Sequence, residues 1–277
     1  MNNALRRLRL LVLMWLTMMV SSKLPVKMGK ERNRLNSQRD TLMVLGCLSL
    51  IQGIFIDQRQ WKWTSNGALC NKGARIILGW NPDEVDIGVI SQNAQVMHTL
   101  IVFKADKKEL FCSFVYAHNR YTHRRELWHN LGMHHGYVRG RSWCLMGDFN
   151  SALNLEDKSV GSSIIDISMR EFKECVDTIE ISDVKRAGLQ FTWSQKPKGE
   201  DGILKKIDRV LANLEFNGTF VGANALFQPY RISDHSPAIL RIPKRTRFKP
   251  KPFKFSNLVV LNPRFKELPL DGYHFHT

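Results

Sequence analysis

From residue 75 onward, apolar runs of strand length alternate with polar breaks and with two segments of helical period. RIILGW (75–80), MHTLIVF (97–103) and LFCSFVY (110–116) predict strands. Asp106, Lys107 and Lys108 lie between the last two and predict a hairpin. Over 121–136 the period lengthens: Leu127, Trp128 and Leu131 share one face, Thr122 stands where an N-cap belongs, and a helix is predicted. The run at 143–147 predicts a buried strand, and the Ser, Asp and Gly-containing stretch 157–166 a loop. Ser168 and Glu171 have capping-box spacing and open a predicted helix over 169–179, with Met169, Phe172 and Val176 as its apolar face. LQFTWS (189–194) and KIDRVLA (206–212) predict strands paired across a polar loop (195–203) that holds Pro197 and Gly199. PAILRI (237–242) predicts the last strand, and Pro243, Pro250 and Pro252 among cations predict an extended linker. Strands interleaved with helices define an α/β chain, and no internal repeat is present.

The first 60 residues read differently. TLMVLGCLSLIQGIFI (41–56) is apolar without a clear period. Arg6, Arg7 and Arg9 precede an apolar run over 10–20 and then Ser21 and Ser22, a leader-like arrangement at 5–22. The run is short for a membrane span and its cleavage pattern is poor, so no stable span is expected and a nuclear or cytoplasmic location is favoured over secretion. Cysteine usage agrees with that preference. Five cysteines (Cys47, Cys70, Cys112, Cys144, Cys175) form no C-x-x-C pair, so neither a disulfide framework nor a zinc site is indicated.

The 277 residues, 43% hydrophobic and 24% charged, suffice for a buried core, and the net charge of +16 points to a polyanionic partner. That charge is unevenly placed. Residues 1–40 carry nine basic side chains against Glu31 and Asp40, and residues 241–255 carry seven and no acid. Each flank is therefore at net +7, and the body between them is close to neutral. Both flanks are read as solvated tails or as phosphate contacts.

Two short acidic motifs follow apolar runs: WCLMGDFN (143–150) and ISDHSP (232–237). Hydrolysis of a phosphodiester needs charge neutralisation at the phosphate, a group that orients or deprotonates water, and a stabiliser for the leaving oxygen. Asp148 and Asn150, two residues apart on an extended segment, point to one side and present a carboxylate and a carboxamide together. Alone, this tetrapeptide reads equally as a turn after a strand. Asp208 sits within a run suited to a buried strand, where a carboxylate requires a partner, and His235 is the candidate.

Five motifs in this order, SFVYAHN (113–119), GDFN (147–150), FTWS (191–194), KIDRVL (206–211) and SDHSP (233–237), resemble the endonuclease/exonuclease/phosphatase, or DNase I-like, superfamily. The wording is most similar to the endonuclease domain of plant non-LTR (LINE-type) retrotransposons, and RRELW (124–128) and PKPFKFS (250–256) add to the likeness. The resemblance spans about 60–256 and implies an α/β sandwich of two sheets, incomplete at its N-terminus. By position it implies that Tyr116 and Asn119 contact the scissile phosphate and that Asp148 activates water while Asn150 holds the phosphate. It further implies that His235 contacts the phosphate with Asp208 orienting it, and that Asp234 serves the metal site, with Mg2+ or Mn2+ as cofactor and DNA as partner. Thr192 and Trp193 are candidates for DNA contact. The expected organisation is an atypical segment over 1–57, the nuclease-like domain over 58–243 and a basic, Pro-rich tail over 244–277.

The match fails upstream. The family's first strand ends in Trp-Asn and a later one ends in the glutamate that is its principal metal ligand; neither is present here. Asp57 follows Ile54-Phe55-Ile56, but its side chain is a methylene shorter than the glutamate it would replace. Two central strands would also be missing unless 41–56 supplies them. No reverse transcriptase follows before Thr277. The expectation is a degenerate LINE-type endonuclease domain, inactive or weak. The competing readings are an active nuclease making a 3′ hydroxyl for target-primed reverse transcription, a non-catalytic nucleic-acid-binding remnant, a secreted DNase I-like nuclease, and a small-molecule or lipid phosphoesterase.

Overall fold

Alternation along residues 109–116 sorts side chains onto two buried faces. Phe111 and Val115 pack with Leu127, Leu131, Phe172 and Val176, whereas Cys112 and Phe114 pack with Ile76, Leu78, Phe227 and Leu240. A strand buried on both faces lacks polar positions, which is why this stretch reads as a continuous apolar run. Full burial of one such phenylalanine contributes about 2–3 kcal/mol.

The computed structural model describes residues 61–70, 73–160, 164–195, 202–230 and 233–243, and the strand backbones at 12–16 and 43–45. In chain order the strands are β1 (Val12–Leu16), β2 (Met43–Leu45), β3 (Lys62–Ser65), β4 (Ile76–Trp80), β5 (Val85–Gln92), β6 (Val96–Phe103), β7 (Glu109–Tyr116) and β8 (Trp143–Asp148). They continue with β9 (Ser182–Asp183), β10 (Arg186–Gly188), β11 (Trp193–Gln195), β12 (Ile203–Lys205), β13 (Asp208–Ala212), β14 (Asn224–Phe227) and β15 (Ala238–Arg241). The helices are α1 (Tyr121–Val138), α2 (Ile167–Thr178) and the short α3 (Leu214–Thr219).

One sheet has the order β5-β6-β7-β8-β13-β9 and the other the order β10-β14-β15-β2-β1-β4-β3; β11 and β12 form a separate hairpin. The first core lies between the two sheets, and the second lies between the six-stranded sheet and α1 and α2. This is a two-sheet α/β sandwich. The hairpin of β6 and β7 forms as expected, with Val96 opposite Val115 and Val102 opposite Glu109.

Several local expectations are corrected. Helix α2 is capped by Asp166, which accepts from the Met169 amide at 2.9 Å; Ser168 instead bonds Ser151 and Arg124. No side chain caps α1, which begins after Arg120. The partner of β11 is Ile203–Lys205, with Trp193 opposite Lys205, whereas Asp208–Ala212 belongs to the six-stranded sheet. The edge strand β5 was not predicted, because its half-exposed residues give no apolar run.

The N-terminal segment supplies two strands at the heart of the seven-stranded sheet. β2 pairs antiparallel with β15, and β1 runs parallel to β2 and antiparallel to β4. The backbone places expected to be vacant are thus taken, by one strand from the leader-like run and one from 41–56. Their sequences, VLMWL and MVL, bring neither the asparagine nor the glutamate. Asp57, Lys196–Asp201 and the tail 244–277 lie outside the described residues.

Candidate active site

The site is built where the strand ends of the six-stranded sheet meet a loop from the other sheet. β7 and β8 are parallel, so Tyr116 and Asp148 reach the same edge side by side. β13 is antiparallel to β8, so its first residue, Asp208, stands directly opposite Asp148. The loop before β15 crosses over from the second sheet and is tied by a bridge between His235 and Trp193. Sequence separation is large, but each residue arrives at a strand end fixed by its ladder.

Asp148 is 1% exposed; its Oδ1 accepts from the Asn150 amide at 2.8 Å and its Oδ2 from Asn150 Nδ2 at 2.9 Å. Asn150 holds a left-handed φ of 49°, which turns the chain sharply enough for backbone and side chain to reach one carboxylate. Its Nδ2 also donates to the Ala117 carbonyl at 2.9 Å. Asp208, 2% exposed, accepts from His235 Nδ1 at 2.9 and 3.0 Å. Burial pushes the Asp148 carboxyl up to about 7, and the Asp208 charge adds to the rise, with His235, the Asn150 amide and Arg124 opposing it. For His235, burial disfavours the charge, but the adjoining Asp208 outweighs it with help from Asp148 and Asp234, and the value rises to about 9. At neutral pH His235 is an imidazolium with Nδ1 held by Asp208.

The remaining expected residues divide. Tyr116 is partly buried, and burial and the nearby Asp148 raise its phenol, with Asp208 and Asp234 adding to the effect. Asn119 lies exposed beyond the strand, its carbonyl accepting from Arg124 Nη1 at 3.0 Å. Asp234 is not in the tight cluster: Asp148, Asp208 and His235 offer ligand atoms within 4.8 Å of one another, while Asp234 Oδ2 accepts from Trp193 Nε1 at 3.0 Å. Thr192 is fully buried, and its side chain has a structural role. Its Oγ1 accepts from the Ile207 and Asp208 amides at 3.1 and 2.9 Å and thereby sets the start of β13. Trp193 is half-buried, with Lys205 Nζ 5.4 Å from its ring centroid.

Two arginines escaped sequence reasoning. Arg124, 3% exposed, donates to the His118 carbonyl at 2.9 Å and to Ser168, joining the loop after β7 to α2. Arg75, immediately before β4, lies over the Tyr116 ring at 4.4 Å and donates to the Tyr116 carbonyl at 3.1 Å. Each carried a faint signal: Arg124 in RRELW, and Arg75 as a cation opening an apolar strand.

The donors present fit a hard divalent cation in kind and charge. Two buried carboxylates face each other across one register position, a repulsion that a bound cation would relieve. Among the described residues no other acid joins Asp148 and Asp208 in that cluster.

This two-sheet α/β sandwich has the DNase I-like fold. Among solved structures, the endonuclease domain of TRAS1, a telomere-specific non-LTR retrotransposon, superposes with a TM-score of 0.56 at 11% identity, covering 73% of this chain and 86% of that one. The AP endonuclease LMAP from Leishmania major gives 0.52 at 12% identity, covering 74% and 78%. An endonuclease/exonuclease/phosphatase family protein from Bacteroides thetaiotaomicron gives 0.50 at 12% identity, covering 75% and 85%. No protein-family model and no curated relative matches the sequence.

Proposed function

We propose that the chain is a nucleic-acid phosphodiesterase domain of LINE-type endonuclease descent, with a complete proton-transfer half and a reduced metal-holding half. The observation that carries this reading is the pair of His235 on Asp208, set beside a buried Asp148 whose carboxyl is raised to about 7. A carboxylate near that value exchanges a proton with an attacking water at neutral pH. An imidazolium locked at Nδ1 presents its other N–H to a phosphate oxygen. Asn150 Nδ2 gives its two N–H groups to Asp148 and Ala117, and would donate to the same phosphate by exchanging one of them. Asp148 and Asp208 would hold a Mg2+ or Mn2+ ion, which would supply charge neutralisation at the phosphate and would draw the Asp148 carboxyl below its metal-free value.

The reduced half follows from the donor count. Among the described residues, carboxylates from two residues leave most of a six-oxygen shell to water and substrate, so weak metal affinity and slow turnover are expected. Among the described residues no helix is long and apolar enough to cross a membrane. A DNA substrate is supported by the +7 flanks and by the resemblance of the motifs, and a reducing, non-secretory location by the free, buried Cys112, Cys144 and Cys175.

Nicking of supercoiled plasmid in Mg2+ or Mn2+ tests the reading, with Asp148→Ala and His235→Ala as controls. Slow nicking abolished in both variants is expected. Nicking equal in wild type and both variants would assign it to a contaminant and sink the proposal; DNA binding without nicking would leave the non-catalytic remnant.

A further inference from the structure

We propose that Arg75 is a phosphate-binding residue of this site, placing fixed positive charge on the side where Tyr116 and Asn150 converge. The proposal deepens the phosphodiesterase reading and rests on it for the position of the phosphate.

Arg75 Nη2 donates to two successive carbonyls at the end of β7, Tyr116 at 3.1 Å and Ala117 at 3.4 Å. Asn150 Nδ2 donates to that same Ala117 oxygen at 2.9 Å. Two donors that share one acceptor are neighbours, so the guanidinium stands next to the amide that would hold the phosphate. The ring of Tyr116 lies beneath it at 4.4 Å.

The guanidinium is anchored but not saturated. Of its five N–H donors, those on Nη2 face the carbonyls, while Nε is buried and has no partner among the described residues. No carboxylate lies within ion-pair distance of Arg75 among the described residues, so its charge is available to a phosphate. With Nη2 on the carbonyls and Nε buried, the Nη1 N–H groups of the fork are the donors left for a phosphate oxygen. In a site with few metal ligands, a resident cation also gives the phosphate a partner that does not depend on metal.

The test uses the full chain in EDTA with two probes, a short single-stranded DNA oligonucleotide and inorganic phosphate, followed by anisotropy and calorimetry. Arg75→Ala is expected to weaken both by ~10-fold or more, since a charge-assisted bond is lost. Arg125→Ala, which removes the same charge from the exposed face of α1, is expected to leave both unchanged. Arg75→Lys keeps the charge without the fork and is expected to fall between wild type and Arg75→Ala. Equal affinities for wild type and Arg75→Ala would overturn the proposal, as would a lower melting temperature with affinity intact. Should Arg75→Ala fail to fold, wild-type affinity in Arg75→Lys would overturn the fork. Phosphate binding that depends on Arg75 without oligonucleotide binding would uphold Arg75 and remove the nucleic-acid reading. Failure of wild type to bind either probe would overturn both.

Discussion

Asp148 and Asp208 are direct cross-strand partners, two buried carboxylates on adjacent antiparallel strands at the mouth of the six-stranded sheet. Like charges at such a position are destabilising, and the structure answers the two differently. Asp208 receives an imidazolium, while Asp148 receives only amide hydrogen bonds from Asn150 among its described hydrogen-bond partners and shifts toward protonation.

His235 should therefore titrate late. In metal-free protein its imidazole resonances are expected to move with a midpoint near 9, and Asp208→Asn should lower that midpoint by removing the main charge that raises it. A raised folded value means that this contribution to stability is complete below about 6.5 and is lost as pH rises through about 9. A midpoint unchanged by Asp208→Asn would contradict the assignment. The same substitution should cost about 100-fold or more in any hydrolytic rate.

Acid should loosen the fold from the opposite side of the sheet. His98 is held between Ser113 at 2.7 Å and Asn130 at 2.8 Å, and its ring stacks on His134 at 3.7 Å. Burial lowers His98 to about 4, and burial together with His98 lowers His134 to about 3. Both are neutral in the folded chain, so their contribution is present above about 6.5 and is lost as pH falls through those values. The loss should reach a few kcal/mol by pH 4, read by urea unfolding across that range. Stability that is flat from pH 7 to 4 would refute it.

Arg209 is fully buried and bridges Asp157 to Asp183, with Lys206 Nζ also 2.7 Å from Asp183. It ties the loop after β8 and strand β9 to β13, directly behind Asp208. Asp157→Ala should cost about 3–5 kcal/mol, because it strands a buried guanidinium, whereas replacing both Asp157 and Arg209 by apolar residues should cost much less. Chemical denaturation of the single and double variants measures the difference.

Thr192→Val should weaken the chain by about 1–3 kcal/mol, since the Ile207 and Asp208 amides both lose their acceptor, and Thr192→Ser should restore it. A DNA-contact role would instead reduce affinity with melting temperature unchanged.

Deleting residues 1–20 should abolish cooperative folding or cause aggregation. β1 is an interior strand of its sheet, and its removal opens the ladders of β2 and β4. A truncated chain with unaltered melting would show that β1 is dispensable.

The patterning of residues alone determined the α/β class, and the resemblance of the ordered motifs put forward Asp148 and Tyr116, which lie at strand ends, and His235, which lies in the loop before β15. It also paired Asp208 with His235, since a carboxylate inside a buried strand requires a partner. Tertiary structure alone decided what those members face. Thr192 and Arg75 carry no local pattern that separates an acceptor for amides from a DNA contact, or a residue leading into a strand from a cation over Tyr116. The placement of β1 was equally hidden: a short apolar run is the same string in a leader as in a central strand, and only the ladder on either side tells them apart.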